Sequence, residues 1–431
     1  MARPSPDRGP PGLDRRLLNR RGFLTLAGGG LAAGLGLPSG VRAGATDAAR
    51  RRFLFIHCRG GWDTTYVFQP NFGAAGVDME ADSVEAEANG IRFVDAESRP
   101  LVRQFLETHG ASTCVVNGIE VPSVTHERCS RIMLTGKTDG AGDDWGATLA
   151  GRSASPLLLP YLVVSGSAFT DQYTDRVVRV GSNGQLGALL DGNALLRSDR
   201  PVNLPSPGST SRVDAWLSER AAGLSERSPM AAAFARAHAD QVEFQEWGDT
   251  LRLGGAPSGC TTLLNDAATV LDAFEAGLAR TALVEYLGWC SEGWDTHSNN
   301  SRQGLNFNEL FDYLGRILAD LATRTAASGA PLADEVTIVV LSEMGRSPLL
   351  LRGEGRDHWT FTSAMLVGAG VRGGQVIGGF DDGGYGLGAD FASGDATLDG
   401  PVIQAANLGA TLLALGDVDP GAVAPLTAAV A

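Results

Sequence analysis

Basic residues are scarce in this 431-residue chain, and lysine is almost absent. There are 35 Lys and Arg residues against 49 Asp and Glu, a formal net charge of −14, and Lys137 is the single lysine. Residues 1–45 hold seven Arg and two Asp, which leaves 28 basic and 47 acidic residues, net −19, in the remainder. So acidic a surface argues against nucleic acid or anionic lipid as a partner. It does not exclude a phosphate ester held at a local metal site.

Cysteine is also sparse, with no CxxC pair and no zinc-knuckle spacing. The five cysteines are Cys58, Cys114, Cys129, Cys260 and Cys290. One disulfide is compatible with an oxidising compartment, but the odd count leaves at least one free thiol. The spacing names no pair.

The N-terminus has the features of an export signal rather than of a folded element. Asn19-Arg20-Arg21-Gly22-Phe23-Leu24 is a twin-arginine motif, a weakly apolar run follows to Leu37, and Ala43 and Ala45 offer a cleavage site. The run is shorter than the roughly 20 residues that span a bilayer. We therefore expect residues 1–45 to be removed by the twin-arginine export machinery, with no stable membrane anchor afterwards and a periplasmic or extracellular product.

Apolar runs and helical periodicity alternate along residues 46–431, which predicts a single α/β domain with a mostly parallel sheet. Strands are predicted at 52–58, 113–117, 157–164, 336–341 and 364–367, and helices at 100–109, 307–321 and 403–415, with one more helix that follows 122–128 and ends at 135–137. Residues 191–287 have a different character: a Ser/Pro/Gly-rich linker at 203–212 precedes helical patterns at 212–240 and 262–287. We interpret this stretch as a helical insertion or an extra layer.

Carboxylates and imidazoles cluster where these predicted elements end. They are Asp63, Asp295, His297, Glu343 and His358. Carboxylate oxygens suit hard divalent cations, and zinc accepts imidazole nitrogen beside them. If the strands are parallel neighbours, these ends meet at one sheet edge and form a metal site.

Each of these side chains also has an ordinary structural interpretation. Asp63 and Asp295 can cap helices or turns, and His297 can be a hydrogen-bonded loop histidine. Glu343 can pair with Arg346, and His358 with Asp357. The case for a metal site depends on their co-occurrence at strand ends.

The segment Pro122–Arg128 leads into the helix that ends at Thr135. Thr125 or Ser123 can cap this helix, so its first backbone N–H groups would face an anion. This segment is the second predicted corner of the site.

These motifs resemble a family of unknown function numbered 1501. The resemblance rests on Gly-Trp-Asp-Thr-His (293–297), Ser-Glu-Met-Gly-Arg-Ser-Pro (342–348), Asp-His-Trp (357–359) and the Gly-rich segment 368–378. It covers nearly all of the chain after the signal and is strongest at 53–65, 123–136 and 288–379. The family is grouped with the alkaline phosphatase and sulfatase superfamily, which implies a three-layer α/β/α sandwich with metals at the strand ends.

Carried over residue by residue, the resemblance implies metal ligands at Asp63, Asp295, His297, Glu343 and His358. His126 occupies the nucleophile position, preceded by Thr125. Met344 stands where a second-metal histidine would be, so a weakened or single-metal site is implied.

The expected function is hydrolysis of a small-molecule phosphate or sulfate ester with a divalent metal, zinc first, with calcium, magnesium or manganese as alternatives. Thr125 and His126 would supply the nucleophile or proton transfer, with His126 as ligand or base, or a metal-bound water would attack directly. Arg346 or Arg128 would clamp the oxyanion. A non-catalytic periplasmic binding or assembly protein that keeps the fold is the alternative.

Overall fold

The computed structural model describes residues 48–153, 157–180, 186, 205–225, 228–247, 251 and 262–431. The predicted signal peptide at 1–45 and most of 181–204 lie outside these described residues. Within the described ranges, no helix has both the length and the apolar character that a membrane span requires.

The described residues form fourteen β-strands, numbered here along the chain. They are β1 (Arg52–Cys58), β2 (Ser83–Ala88), β3 (Ile91–Ala96), β4 (Thr113–Glu120), β5 (Tyr161–Val163), β6 (Val177–Arg179), β7 (Thr281–Tyr286), β8 (Val336–Leu341), β9 (Gly345–Arg346), β10 (His358–Trp359), β11 (Phe361–Gly368), β12 (Gln375–Ile377), β13 (Gly388–Ala389) and β14 (Ala396–Thr397).

The described residues also form eight α-helices. They are α1 (Pro100–His109), α2 (His126–Thr135), α3 (Trp145–Gly151), α4 (Pro207–Ser225), α5 (Pro229–Gln245), α6 (Thr262–Glu275), α7 (Arg302–Leu321) and α8 (Ala405–Leu415). The predicted bounds of β1, β8 and α1 are confirmed, as is the predicted end of α2. β4 and β11 are longer than predicted, and β5 is shorter because Pro160 cannot donate a hydrogen bond within a sheet.

Eight strands form one sheet in the order β12-β4-β11-β8-β1-β7-β5-β6. Strand β1 lies between β8 and β7 in parallel register, with Leu54 beside Ile338 and Ala282. Among these eight strands, β11 runs antiparallel to its neighbours β4 and β8, and the other seven share one direction. The parallel strands therefore end at one edge of the sheet, the carboxyl edge, and β11 begins there.

Helices cover both faces of the sheet because alternate residues of the buried strands face opposite sides. Leu54 and Ile56 of β1 belong to the apolar cluster that includes residues of α1, α6 and α7. Phe53 and Phe55 belong to the cluster that includes residues of α2, α3 and α8. The predicted class, a three-layer α/β/α sandwich with a mostly parallel central sheet, is confirmed.

The predicted helical stretch at 262–287 is wrong beyond Glu275. Gly277, at φ +77°, ends the turn after α6, and Thr281–Tyr286 is then the strand that pairs with β1. Five of its six residues are buried, so the strand lacks the alternation that would have distinguished it from a helix. Helix α6 packs in an outer layer of the sandwich. Among the helices described between residues 205 and 275, α4 and α5 contact each other and fit the prediction of an added helical unit.

Candidate metal centre

Five segments bring polar side chains to the carboxyl edge of the sheet. Residues 59–63 follow β1, residues 293–297 lie beyond β7, and residues 342–346 follow β8. The start of α2 lies beyond β4, and residues 357–359 precede β11. The last segment reaches this edge because β11 is antiparallel, so its beginning lies where the other strands end. Pairing of β9 with β10 then sets His358 opposite Arg346.

Three imidazole Nε2 atoms converge on the carboxylate of Asp295. His126 Nε2 lies 3.4 Å from Asp295 Oδ2, and the Nε2 atoms of His297 and His358 lie 3.1 and 3.5 Å from Oδ1. The two latter nitrogens are 2.9 Å apart. Of the predicted ligands, Asp295, His297 and His358 are therefore brought together, and His126 joins them.

The other ring nitrogen of each histidine faces an oxygen. His358 Nδ1 donates to the Val124 carbonyl at 2.6 Å, and His126 Nδ1 donates to Glu343 Oε1 at 2.8 Å. His297 Nδ1 lies 3.7 Å from Asp357 Oδ1. A carbonyl can only accept, and a carboxylate does the same when ionised. The two hydrogen bonds fix the tautomers of His126 and His358 that leave the Nε2 lone pair directed at the cluster, an arrangement typical of metal-binding histidines.

Four of the distances within the cluster match those between the ligands of a tetrahedral ion, although neither group of donor atoms that could share an ion contains both His126 and His297. Ligands held ~2.0–2.1 Å from zinc at tetrahedral angles lie roughly 3.3 Å from one another, and the four contacts above span 2.9 to 3.5 Å. Two groups of side chains in the described part of the chain have donor atoms close enough to share an ion. One consists of His126, Asp295 and His358, and the other of His297, Asp357 and His358.

Charge at the cluster is set by a buried guanidinium. Arg346 donates to Asp295 Oδ1 at 2.6 Å. Burial acts to raise the pKa of Asp295, but this hydrogen bond, the charge of Arg346 and the nearby His297 and His126 hold the pKa below its usual value. The Glu343 hydrogen bond raises the pKa of His126 against the effect of burial. Burial lowers the pKa of His358.

Glu343 lies behind the cluster instead of within it. Its two oxygens accept from Gly60 N at 2.8 and 3.1 Å, from His126 Nδ1, and from Ser342 Oγ at 3.2 Å. Burial acts to raise the pKa of Glu343, but His126 and the nearby His57 hold it well below its usual value. The expected direct ligand is thus the carboxylate that orients His126, because the main-chain and histidine donors already occupy its oxygens.

Asp63 is fully buried one layer further from the cluster. Its Oδ1 accepts from the backbone N–H of Thr65, and its Oδ2 accepts from Asn300 Nδ2 at 2.7 Å and pairs with Arg356 Nε at 3.0 Å. The turn-capping interpretation of Asp63 is therefore observed. Because its oxygens already have partners, the structure does not bring Asp63 into either ligand group.

The expected catalytic residues differ in where they lie. Thr125 is exposed and precedes α2, and its hydroxyl makes no capping hydrogen bond. Arg346 is buried, and besides Asp295 its donors contact the carbonyls of Gly60, Gly61 and Arg356. The oxyanion clamp expected of Arg346 does not match this geometry, since its N–H groups face the protein.

Sequence reasoning missed His57, whose Nε2 lies 3.5 Å from Glu343 Oε2. The available signal was a histidine near the end of an otherwise apolar strand. The cysteines agree with the expectation of one possible disulfide and at least one free thiol. Cys290 is disulfide-bonded, and Cys58, Cys114 and Cys129 are free and buried.

Residues 275–413 match the sequence model of a family described as "Protein of unknown function (DUF1501)". The predicted resemblance is confirmed over this part of the chain, which contains Asp295, His297, Glu343, Arg346 and His358. No curated protein matches the sequence.

Several solved structures show weak similarity to the chain. Ps i-CgsB has a TM-score of 0.33 at 10% identity over 86% of this chain and 72% of its own. BT33494S-sulf, from a glycosaminoglycan locus of Bacteroides thetaiotaomicron, has 0.34 at 10% over 85% and 73%. The PsFucS1 sulfatase from Pseudoalteromonas sp. has 0.32 at 11% over 88% and 72%. Similarity this low carries no argument about what the chain does.

Proposed function

We propose that this chain is a metal-dependent hydrolase of phosphate or sulfate esters that holds one zinc ion. The supporting observation is the convergence of three imidazole Nε2 atoms on Asp295, with the Nδ1 atoms of His126 and His358 each hydrogen-bonded to an oxygen. Three imidazoles suit zinc better than calcium, magnesium or manganese, which prefer oxygen ligands. His126, His297, His358 and Asp295 would be the ligands.

The remaining residues orient these ligands and supply an attacking group. Glu343 fixes the ring of His126, the Val124 carbonyl fixes His358, and Arg346 fixes Asp295. Thr125, exposed beside His126, is the nucleophile we assign, with a water molecule as the alternative. A bound zinc ion would lower the pKa of the attacking hydroxyl and offset the charge of the transferring group.

A non-catalytic binding or assembly protein with the same fold is the second candidate function. Met344 favours it, because this residue replaces the histidine that the family resemblance implies and is fully buried in an apolar cluster. Arg346 favours it as well, since its buried donors face away from any substrate. Such a protein would keep the ion as a structural element.

Metal analysis of the purified chain tests the first proposal. We expect about one zinc per chain, lost in Asp295→Ala and in His358→Ala because each removes one of four ligands. His109→Ala is the matched control, since this imidazole ends α1 on the other face of the sheet. The proposed metal centre is rejected if the unmodified chain takes up no zinc, or if both variants keep it.

Turnover separates the two functions. The zinc-loaded chain should hydrolyse an aryl phosphate or an aryl sulfate, with hydrolysis absent in His358→Ala. Loss of hydrolysis in Thr125→Ala with zinc retained would identify the hydroxyl as the nucleophile, whereas retained hydrolysis would point to water. Zinc binding without turnover of either ester class would favour the non-catalytic protein.

Export by the twin-arginine route is part of this proposal and rests on residues 19–24. Replacing Arg20 and Arg21 by lysine should retain the protein inside the cell. Fractionation with an antibody against the chain would measure this, and an unchanged distribution would reject the route.

A further inference from the structure

A cavity of about 390 Å³ adjoins the metal centre on the side of His57. His57 shares the β1 face of Phe53 and Phe55, so its side chain meets α2. The helix contributes Ser130, Arg128 and Arg131 to the wall. The metal-binding atoms do not line this cavity, so it is distinct from the proposed ester site.

Two buried polar side chains on the cavity wall have no hydrogen-bond partner among the described residues. They are His57, which is 2% exposed, and Ser130, which is 5% exposed. The nearest contact of His57 is Glu343 at 3.5 Å, and its Nδ1 has no partner in the described part of the chain. A buried polar group without a partner is unfavourable, so the cavity presents hydrogen-bonding capacity that a ligand can use.

The charge of the wall favours an anion, although the chain as a whole is acidic. Arg59 lies 4.0 Å from Glu285 and is balanced by it. Arg128 and Arg131 make no ion pair within the described ranges; each contacts a backbone carbonyl, at 3.4 and 2.8 Å. Glu127 offsets one of these two charges. One guanidinium charge remains available, and its planar fork suits a carboxylate, phosphate or sulfate.

The size and the aromatic surface of the cavity favour an organic anion over an inorganic one. The guanidinium of Arg131 lies 4.4 Å from the ring centroid of Phe169, which also lines the cavity. The volume is at the lower end of the range for small-molecule sites. A bare phosphate would leave much of it unfilled.

We propose that this cavity binds a small organic anion, with its oxyanion group at Arg128 and Arg131 and its hydrogen-bonding atoms at His57 and Ser130. Ligand binding would change the zinc affinity of the metal centre through His57, Glu343 and His126, because Glu343 contacts both histidines. The coupling rests on the proposed metal centre, but the binding does not.

Calorimetric titration of the full chain after metal removal with EDTA tests the binding. Phenylphosphonate should bind saturably at one site and more tightly than inorganic phosphate. The double variant Arg128→Gln/Arg131→Gln should weaken binding at least tenfold, and Ser130→Ala severalfold. Glu127→Gln should tighten binding, because it removes the opposing charge from the same helix. Arg152→Gln, beyond the end of α3, is the control and should change nothing.

Several results would overturn the cavity site: no saturable binding, unchanged affinity in the double variant while it still melts cooperatively, or inorganic phosphate binding as tightly as phenylphosphonate. Zinc affinity measured with and without phenylphosphonate tests the coupling, and a Kd that shifts less than twofold rejects it. A chain that binds phenylphosphonate but no zinc would reject the metal centre and leave the cavity site standing. A chain that binds zinc but no phenylphosphonate would reject the cavity site and leave the metal centre standing.

Discussion

Replacing Glu343 by Gln tests whether its carboxylate orients His126, a histidine that we propose binds the metal ion. In the structure Glu343 Oε1 accepts from His126 Nδ1 at 2.8 Å, and both oxygens accept from Gly60 N. A glutamine has one oxygen and one NH₂ group. With its oxygen at the Oε1 position the amide still accepts from His126 and Gly60 but sets its NH₂ group 3.1 Å from Gly60 N, and in the other orientation the NH₂ group faces both donors.

The expected size of the loss in zinc affinity follows from the position of Glu343, which contacts the proposed ligand His126 and not the ion. Loss of such a partner lowers metal affinity by about 10- to 100-fold, or about 1.4–2.7 kcal/mol. We expect this loss for Glu343→Gln when zinc is titrated against a chromophoric chelator. The control is Glu309→Gln, because Glu309 belongs to neither ligand group and accepts from the Tyr286 hydroxyl, which an amide oxygen can also do.

Two outcomes would refute this reasoning. An unchanged zinc affinity would mean that the charge of Glu343 is not needed to hold His126 for the ion, since an amide oxygen can still accept from Nδ1. A loss well beyond 100-fold, together with loss of the bound metal itself, would mean that Glu343 is a direct ligand, as the sequence suggested.

Three further predictions concern the surroundings of the site. Asp63→Asn should lower the free energy of unfolding by about 3–5 kcal/mol because it leaves Arg356 buried without its partner; urea unfolding measures this, and a changed zinc content would instead make Asp63 a ligand. Burial raises the pKa of Asp266 to about 6, above its unfolded value of roughly 3.9. The ionised residue therefore lowers the free energy of unfolding; this loss grows as the pH rises from 4 to 6 and is complete above pH 6. Asp266→Asn should therefore stabilise the chain by up to about 3 kcal/mol at pH 7 and little at pH 4; equal effects at both pH values in denaturant unfolding would contradict this. Gly60→Ala should reduce both zinc content and melting temperature, because Gly60 has φ +128° and a Cβ there would lie 2.9 Å from the backbone N of Asp295; unchanged metal analysis would show that this close approach does not position the site.

The strands and helices whose bounds the sequence predicted well are those with a clear pattern in their own residues or in the residues directly flanking them. Val336–Leu341 is a run of apolar, mostly β-branched residues, and His126–Thr135 has a capping position before it and Gly136 after it. Thr281–Tyr286 has no such signal. It follows a helical pattern closely and is apolar on both faces, so only its pairing with β1 identifies it as a strand.

The candidate site was also predictable only in part. Residue types and their positions at strand ends predicted that Asp295, His297 and His358 would meet, because parallel strands share an edge. Which atom of a side chain faces the site depends on partners far away in the sequence. The sequence therefore left His126 open as ligand or base and placed Glu343 among the metal ligands, whereas in the structure Glu343 turns the His126 ring so that its Nε2 faces Asp295.

Arg346 explains how a half-exposed carboxylate can serve as the centre of the cluster. The Asp295 side chain is 46% exposed and would be free to rotate, but Arg346 donates to it while also contacting the carbonyls of Gly60 and Gly61. The turn after β1 and the loop beyond β7 are thereby joined by one buried guanidinium. Because that cation also balances the carboxylate charge, Asp295 is held ionised and oriented before any ion arrives, which lowers the cost of ordering the site on binding.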